Sequence, residues 1–153
     1  MKRKYTRELF DRVRAQADKI GLTVCLARIA DKNGSIIYGW LEGSIIRINN
    51  TSRLSWSKKI HILLHEIGHY LHDEELDRAE QNRINNAYLD IETSPPATVN
   101  GHTLRTILSI EATAWDRARR LARELGIPTS KRMFTALEQE GIDYYKSKFE
   151  KLK

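Results

Sequence analysis

The sequence has few of the residues that cross-link or interrupt a chain and no long apolar run. Its 153 residues include one cysteine and three prolines. The single thiol, Cys25, excludes an intramolecular disulfide framework and a cysteine-based zinc finger. No run approaches the ~18 apolar residues of a membrane span, and no apolar stretch follows the basic N-terminus as it would in a signal peptide. We therefore expect a cytoplasmic protein that makes no membrane contact.

The composition is otherwise that of a globular protein. Hydrophobic residues make up 41% and charged residues 30% of the chain, which argues against disorder. The 26 Lys and Arg residues exceed the 20 Asp and Glu residues, giving a net charge of +6. A basic balance favours a nucleic-acid partner only where the charges cluster, so nucleic acid is the weaker of the partner hypotheses. The length predicts a single domain over residues 1–153.

The spacing of apolar residues predicts an α+β fold. Helices are expected at residues 6–20, 56–72, 73–91 and 103–125, with a helical tail over 129–153. Strands are expected at residues 22–30, 35–41 and 44–49. The Asn-Gly pair within residues 31–34 and the Glu42-Gly43 pair are hairpin signals, so we expect a small, mostly antiparallel sheet. The core of the domain would then span about residues 22–128.

Four of the five histidines lie between residues 61 and 72, and two of them frame an H-E-x-x-H motif. Residues four apart share one face of a helix, so His65 and His69 can bind one metal ion. Glu66 can reach a water beside the metal without binding the metal, as a general base must. Gly68 would let another backbone, or the substrate, come close. The alternative is a helix whose polar side chains face solvent, but the motif lies on an apolar stripe.

A third ligand must come from elsewhere, because a catalytic zinc ion keeps three protein ligands and one open position. Glu111 lies on the apolar stripe of its helix, four residues after Ile107. A carboxylate on a core-facing stripe needs a partner, which could be a metal ion or an arginine. Glu92 and His72 are the rival third ligands. We assign Zn²⁺ as the cofactor on ligand type alone.

Two segments of the sequence resemble the ImmA/IrrE-like metallopeptidases, a branch of the zincins with a glutamate as third ligand. The first is residues 55–72, SWSKKIHILLHEIGHYLH, and the second is residues 111–115, EATAW. The resemblance covers about residues 22–128. It implies a zincin-like fold in which the sheet packs on the motif helix and on a second ligand-bearing helix. It also implies that His65, His69 and Glu111 bind zinc and that Glu66 is the catalytic base.

The resemblance further implies a zinc metalloendopeptidase that hydrolyses a protein or peptide substrate, which in several relatives is a DNA-binding repressor. In zincins an edge strand pairs with the substrate backbone, and we assign this role to residues 44–49. The oxyanion that forms during hydrolysis needs a hydrogen-bond donor facing the metal. The candidate donors are His102, Tyr88, Tyr70 and Arg117.

Two other hypotheses remain at this point. The first is a SprT-like protease acting on DNA-bound protein, which the net charge of +6 motivates. Separately, four arginines of one helix could form a basic ridge that contacts nucleic acid. This arginine ridge comprises Arg117, Arg119, Arg120 and Arg123. The second is a non-catalytic module in which zinc is structural, with a residue such as His72 closing the fourth position. The intact Glu66 favours an enzyme, because a purely structural site has no need of a base.

Overall fold

A computed structural model describes residues 5–29, 38–51, 53–93 and 100–150 of the chain. The elements in chain order are helix α1 (Arg7–Lys19), strands β1 (Thr23–Ala27), β2 (Gly39–Glu42) and β3 (Ile45–Asn49), and helices α2 (Trp56–Glu74), α3 (Arg78–Thr93), α4 (Gly101–Glu124) and α5 (Lys131–Glu150). The α+β composition predicted from the sequence is confirmed. The predicted Asn-Gly turn within residues 31–34 lies outside the described residues.

Side-chain caps determine where helices α2 and α4 begin. The Ser55 side chain accepts a hydrogen bond from the backbone N–H of Lys58, and Asn100 accepts one from Thr103. Each cap satisfies an N–H group that has no partner within its own helix. Gly126 follows α4 with a φ of 62°, a left-handed conformation that favours glycine at a helix end. Because α2 begins after Ser55 and extends to Glu74, the H-E-x-x-H motif lies in its middle.

The sheet is mixed, which corrects the prediction of a mostly antiparallel sheet. Its order is β1–β3–β2, with β1 parallel to β3 and β2 antiparallel to β3. The predicted hairpin at Gly43 does join β2 to β3. The prediction was wrong for β1 because it assumed that strands adjacent in sequence are neighbours in the sheet, whereas β3 lies between β1 and β2.

The central position of β3 also corrects our assignment of the edge strand. Both sides of β3 are hydrogen-bonded to other strands, so its backbone groups are not free for a substrate to pair with. Of the three described strands, β1 and β2 lie at the edges. An extended substrate could add only to one of these edges.

Helix α2 lies at the centre of the fold and packs against α1, α4, β2 and β3. Because neighbours surround it, its polar residues His61, His65 and Glu66 are buried together with its apolar ones. Complete burial of a Leu or Ile side chain contributes roughly 1.5–3 kcal/mol, which stabilises this environment. The buried apolar residues of α2 are Ile60, Ile62, Leu63, Leu64 and Ile67.

Helix α4 crosses α2 at very close range. A Cβ atom at Gly68 would lie 2.3 Å from the carbonyl oxygen of Ala114, so only glycine permits this approach. Helix α5 packs on α4 and also touches α2 and α3. None of the described helices combines the length and the apolar character needed to cross a lipid bilayer.

Candidate metal centre

The three predicted metal ligands meet where α2 faces α4. The Nε2 atoms of His65 and His69 are 3.0 Å apart. Glu111 Oε2 lies 3.1 Å from His65 Nε2, and Oε1 lies 3.2 Å from His69 Nε2. One donor atom from each side chain lies within 4.8 Å of the others, so this group could hold a metal ion.

The local sequence explains why the three side chains converge. The four-residue spacing places His65 and His69 on one face of α2. Gly68 lies next to His69, and its contact partner Ala114 lies three residues after Glu111 on α4. The expectation that Gly68 admits a neighbouring backbone is therefore confirmed. Its missing side chain brings α4 close enough for Glu111 to reach both histidines.

The donor set has the chemistry of a metal site. Two imidazole nitrogens and one carboxylate oxygen form a set that catalytic zinc ions take, with a fourth position left open. A tetrahedral ion with bonds of about 2.0–2.1 Å separates its ligand atoms by roughly 3.3–3.4 Å. The two nitrogens here are 3.0 Å apart, and they lie 3.1 and 3.2 Å from different oxygens of Glu111, Oε2 and Oε1, so these separations are only slightly shorter. The residues therefore fit a tetrahedral metal ion.

Charges within the buried group stabilise one another. Burial by itself would raise the pKa of Glu111, but the neighbouring His69 and His65 outweigh it and hold that pKa well below its usual range. For His69, burial lowers the pKa, and the carboxylates of Glu111, Glu66 and Asp73 more than reverse this, raising the pKa to about 9. The carboxylate of Glu111 is therefore ionised and strongly attracts positive charge.

Glu66 is buried beside the two histidines, with only 8% of its surface exposed. Burial raises its pKa and the nearby carboxylate of Glu111 adds to the effect, while His65 and His69 act in the opposite direction. A carboxyl group whose pKa is moved towards neutrality can both accept and release a proton near pH 7. Glu66 is therefore a buried carboxyl group with a raised pKa, next to the donor atoms of the two histidines.

Two aromatic side chains contact the donor group, and the sequence reasoning assigned neither contact. The Trp115 ring stacks on the His65 ring, with centroids 3.9 Å apart and planes at 20°. The Tyr88 hydroxyl, on α3, donates a hydrogen bond of 2.8 Å to Oε1 of Glu111. The four-residue spacing between Glu111 and Trp115 was a usable signal for the first contact. No sequence signal connected Tyr88 to Glu111.

The rival third ligands lie outside the donor group. Glu92 accepts hydrogen bonds from Tyr144 and Lys148 on α5, at 3.2 and 2.8 Å. His72 is not among the residues whose donor atoms converge in the described part of the chain. The geometry therefore favours Glu111 over both as the third ligand.

The structure separates the four candidate oxyanion donors. Tyr88 contacts the donor group, but its hydroxyl already donates its hydrogen bond to Glu111. Arg117 pairs with Glu75, and His102 lines a surface groove between α3 and α4. Tyr70 packs against the core. No donor for the oxyanion follows from these contacts.

Ion pairs reduce the charge of the arginine ridge on α4. Arg117 pairs with Glu75, and Arg119 pairs with Asp116 and with Glu138 of α5. A phosphate backbone binds most strongly to cations that it can neutralise itself. These pairs weaken the argument for a nucleic-acid surface on this helix.

The comparison with protein families decides which group of proteins the chain is related to. The family model described as the IrrE N-terminal-like domain, a peptidase family, matches residues 17–94, about half of the chain. The chain belongs to this family. The resemblance seen in the sequence is thereby confirmed, and the fold is zincin-like. Membership in the IrrE-like family indicates a metallopeptidase-type function.

The family match covers only part of the proposed site. It contains His65, Glu66 and His69 but ends before Glu111, so it does not bear on the third donor, which the structure groups with the two histidines. No curated protein and no solved structure matches the chain.

Proposed function

We propose that this protein is a zinc-dependent endopeptidase that hydrolyses peptide bonds in a protein substrate. The observation that carries the proposal is the convergence of His65, His69 and Glu111 next to Glu66. Membership in the IrrE-like peptidase family supports the same reaction class. Three donors also leave one coordination position open, which a catalytic zinc ion needs and a closed structural zinc site lacks.

The proposed roles follow from the chemistry of each side chain. His65, His69 and Glu111 would hold the ion, which when bound supplies Lewis acidity at the scissile carbonyl and lowers the pKa of water. Glu66 would take a proton from the attacking water as its oxygen bonds to the carbonyl carbon. It would then deliver that proton to the amine nitrogen as the C–N bond breaks. The raised pKa of Glu66 suits a group that must hold a proton between these two steps.

The resemblance to ImmA/IrrE-like metallopeptidases allows a more specific proposal for the substrate. Family membership supports a protein or peptide substrate, and the ImmA/IrrE-like resemblance suggests a DNA-binding repressor or regulator. A cytoplasmic location would place the enzyme with such a substrate. We further propose that residues 1–153 form a single zincin-like domain.

The test compares Glu66→Gln with the wild type, both loaded with Zn²⁺. A proteome-derived peptide library is the probe, and mass spectrometry identifies the new termini. Loss of a general base lowers the rate by about 10²–10⁴-fold, so we expect cleavage by the wild type and almost none by Glu66→Gln. Both proteins should bind zinc equally, because Glu66 is not a proposed ligand.

The matched control is Glu74→Gln, since Glu74 lies on the same helix but is exposed. It should cleave the library at the wild-type rate. Full activity in Glu66→Gln would contradict the proposed mechanism. A zinc-loaded wild type that cleaves nothing would favour the non-catalytic module instead.

A further inference from the structure

We propose that Tyr88 is a positioning residue that holds the carboxylate of Glu111 in the orientation needed to bind the metal ion. The inference rests on the proposed metal centre and extends it. It gives a role in that centre to α3, a helix that carries none of the proposed ligands. It also explains why a tyrosine hydroxyl is directed at a buried carboxylate.

The contact involves one specific oxygen of Glu111. The Tyr88 hydroxyl donates to Oε1 at 2.8 Å, and the same oxygen lies 3.2 Å from His69 Nε2. The other oxygen, Oε2, lies 3.1 Å from His65 Nε2. Rotating the carboxylate out of its present plane would move Oε1 away from the Tyr88 hydroxyl and break this hydrogen bond. The hydroxyl therefore restricts the carboxylate plane.

Glu111 needs such a restraint more than the two histidines do. It is the single proposed ligand on α4, and its carboxylate lies at the end of a flexible side chain. The imidazoles have fewer rotatable bonds, and the His65 ring is also held by its stack on Trp115. Ordering a flexible side chain costs conformational entropy. A hydrogen bond that orders Glu111 before the ion arrives reduces the entropy lost on binding.

Packing keeps the Tyr88 ring in place. The ring lies edge-on to His69, with centroids 6.5 Å apart, and edge-on to Tyr145 of α5, with centroids 6.0 Å apart. It borders a small cluster of buried apolar residues, Ala87, Ile91 and Ile107. These contacts with α2, α3 and α5 therefore hold the ring where its hydroxyl faces Glu111. Tyr88 contacts two of the three proposed ligands.

The test removes only the hydroxyl. Full-length wild type and Tyr88→Phe are prepared free of metal, and the Kd for Zn²⁺ is measured by competition with a chromophoric chelator. Removing the partner of a ligand typically weakens metal binding by about 10–100-fold, which is the loss we expect. The visible absorption of the Co²⁺-loaded proteins is a second measurement, and the bands of Tyr88→Phe should shift because Glu111 is freer to change its coordination.

The matched control is Tyr144→Phe, which removes a hydroxyl that donates to Glu92 at 3.2 Å. This change should leave the Kd for Zn²⁺ and the Co²⁺ bands as they are in the wild type. A second comparison introduces Tyr88→Phe into a Glu111→Ala background. In that background Tyr88→Phe should change the Kd for Zn²⁺ little further, because a positioning residue acts through the ligand that it holds.

Each other outcome overturns the inference. A wild-type Kd and unchanged Co²⁺ bands in Tyr88→Phe would show that the hydroxyl does not position Glu111. An equal loss of affinity in the Glu111→Ala background would show a general structural effect, as would failure of Tyr88→Phe to fold. A wild type that binds neither ion would remove the proposed metal centre itself, and this result differs from a loss confined to Tyr88→Phe.

Discussion

His61 and His65 lie one turn apart on α2 and are both buried, yet they have different kinds of partner. The Nδ1 atom of His61 lies 2.6 Å from the Ser57 carbonyl, to which it must donate, and Nε2 accepts from the backbone N–H of Ser130 at 3.2 Å. The ring lies between Tyr5 and Phe134. The backbone thus holds His61 as one neutral tautomer, which ties α2 to the segment before α5.

His65 has no comparable backbone partners. Its Nε2 atom faces His69 and Glu111, and within the described part of the chain its Nδ1 atom lacks a hydrogen-bond partner. Buried polar atoms are costly unless they are satisfied. The difference shows that burial alone does not separate a structural histidine from a ligand. The partners of the ring nitrogens separate them.

The largest effects on zinc affinity and on stability should come from replacing His65 and His61, one at a time, by alanine. His65→Ala should weaken Zn²⁺ binding by more than the roughly 10–100-fold expected for a residue that only supports a ligand. His61→Ala should retain the wild-type Kd but lose roughly 1–3 kcal/mol of stability, because two hydrogen bonds and the ring packing disappear. Chelator competition and thermal unfolding measure the two quantities. Equal losses of zinc affinity would remove the distinction between the histidines.

A smaller effect should follow from Gly68→Ala, which tests how α4 is brought to the metal centre. The new methyl group would meet the Ala114 carbonyl oxygen at 2.3 Å, so α4 and Glu111 must move away. Overpacking of this kind costs typically 1–3 kcal/mol. We expect a lower midpoint of thermal unfolding together with weaker zinc binding.

The control for that substitution is Gly141→Ala on α5, where a Cβ atom would meet nothing within 4 Å. Alanine should stabilise this helix by roughly 0.5–1 kcal/mol relative to glycine. Unchanged zinc binding by Gly68→Ala would contradict the role of the close helix contact in placing Glu111.

The smallest expected effect is a pH dependence of stability due to His61. Burial lowers the pKa of His61, and its hydrogen bond to Ser57 opposes this only in part. The unfolded chain therefore takes up this proton first, starting near pH 6.5, and the stability due to neutral His61 declines as the pH falls towards the lowered pKa. We expect the midpoint temperature of unfolding to decrease as the pH is lowered from about 7.5 to about 5.

His61→Gln isolates this contribution, because glutamine does not titrate while every other group remains. The midpoint of the metal-free variant should decrease less than that of the metal-free wild type over the same pH range. Identical decreases would mean that His61 contributes no pH dependence.

Much of the site was predictable because it depends on the spacing of residues along single helices. The four-residue spacing of His65 and His69 defines one helix face whatever surrounds it. Glu111 was predictable because a carboxylate on an apolar stripe needs a partner. The strand order was not predictable, since nothing in the strands themselves shows that β3 pairs with β1 as well as with its neighbour β2.

From the sequence alone it follows that the chain carries an H-E-x-x-H helix, a second helix with a buried carboxylate and an α+β fold. Helix periodicity and capping are properties of short segments, so they can be read along the chain. The contacts of Tyr88 with Glu111, of Trp115 with His65 and of Gly68 with Ala114 depend on how separate helices pack. The distances across these contacts exist only when the whole core is assembled, and they determine which polar residues meet at the centre.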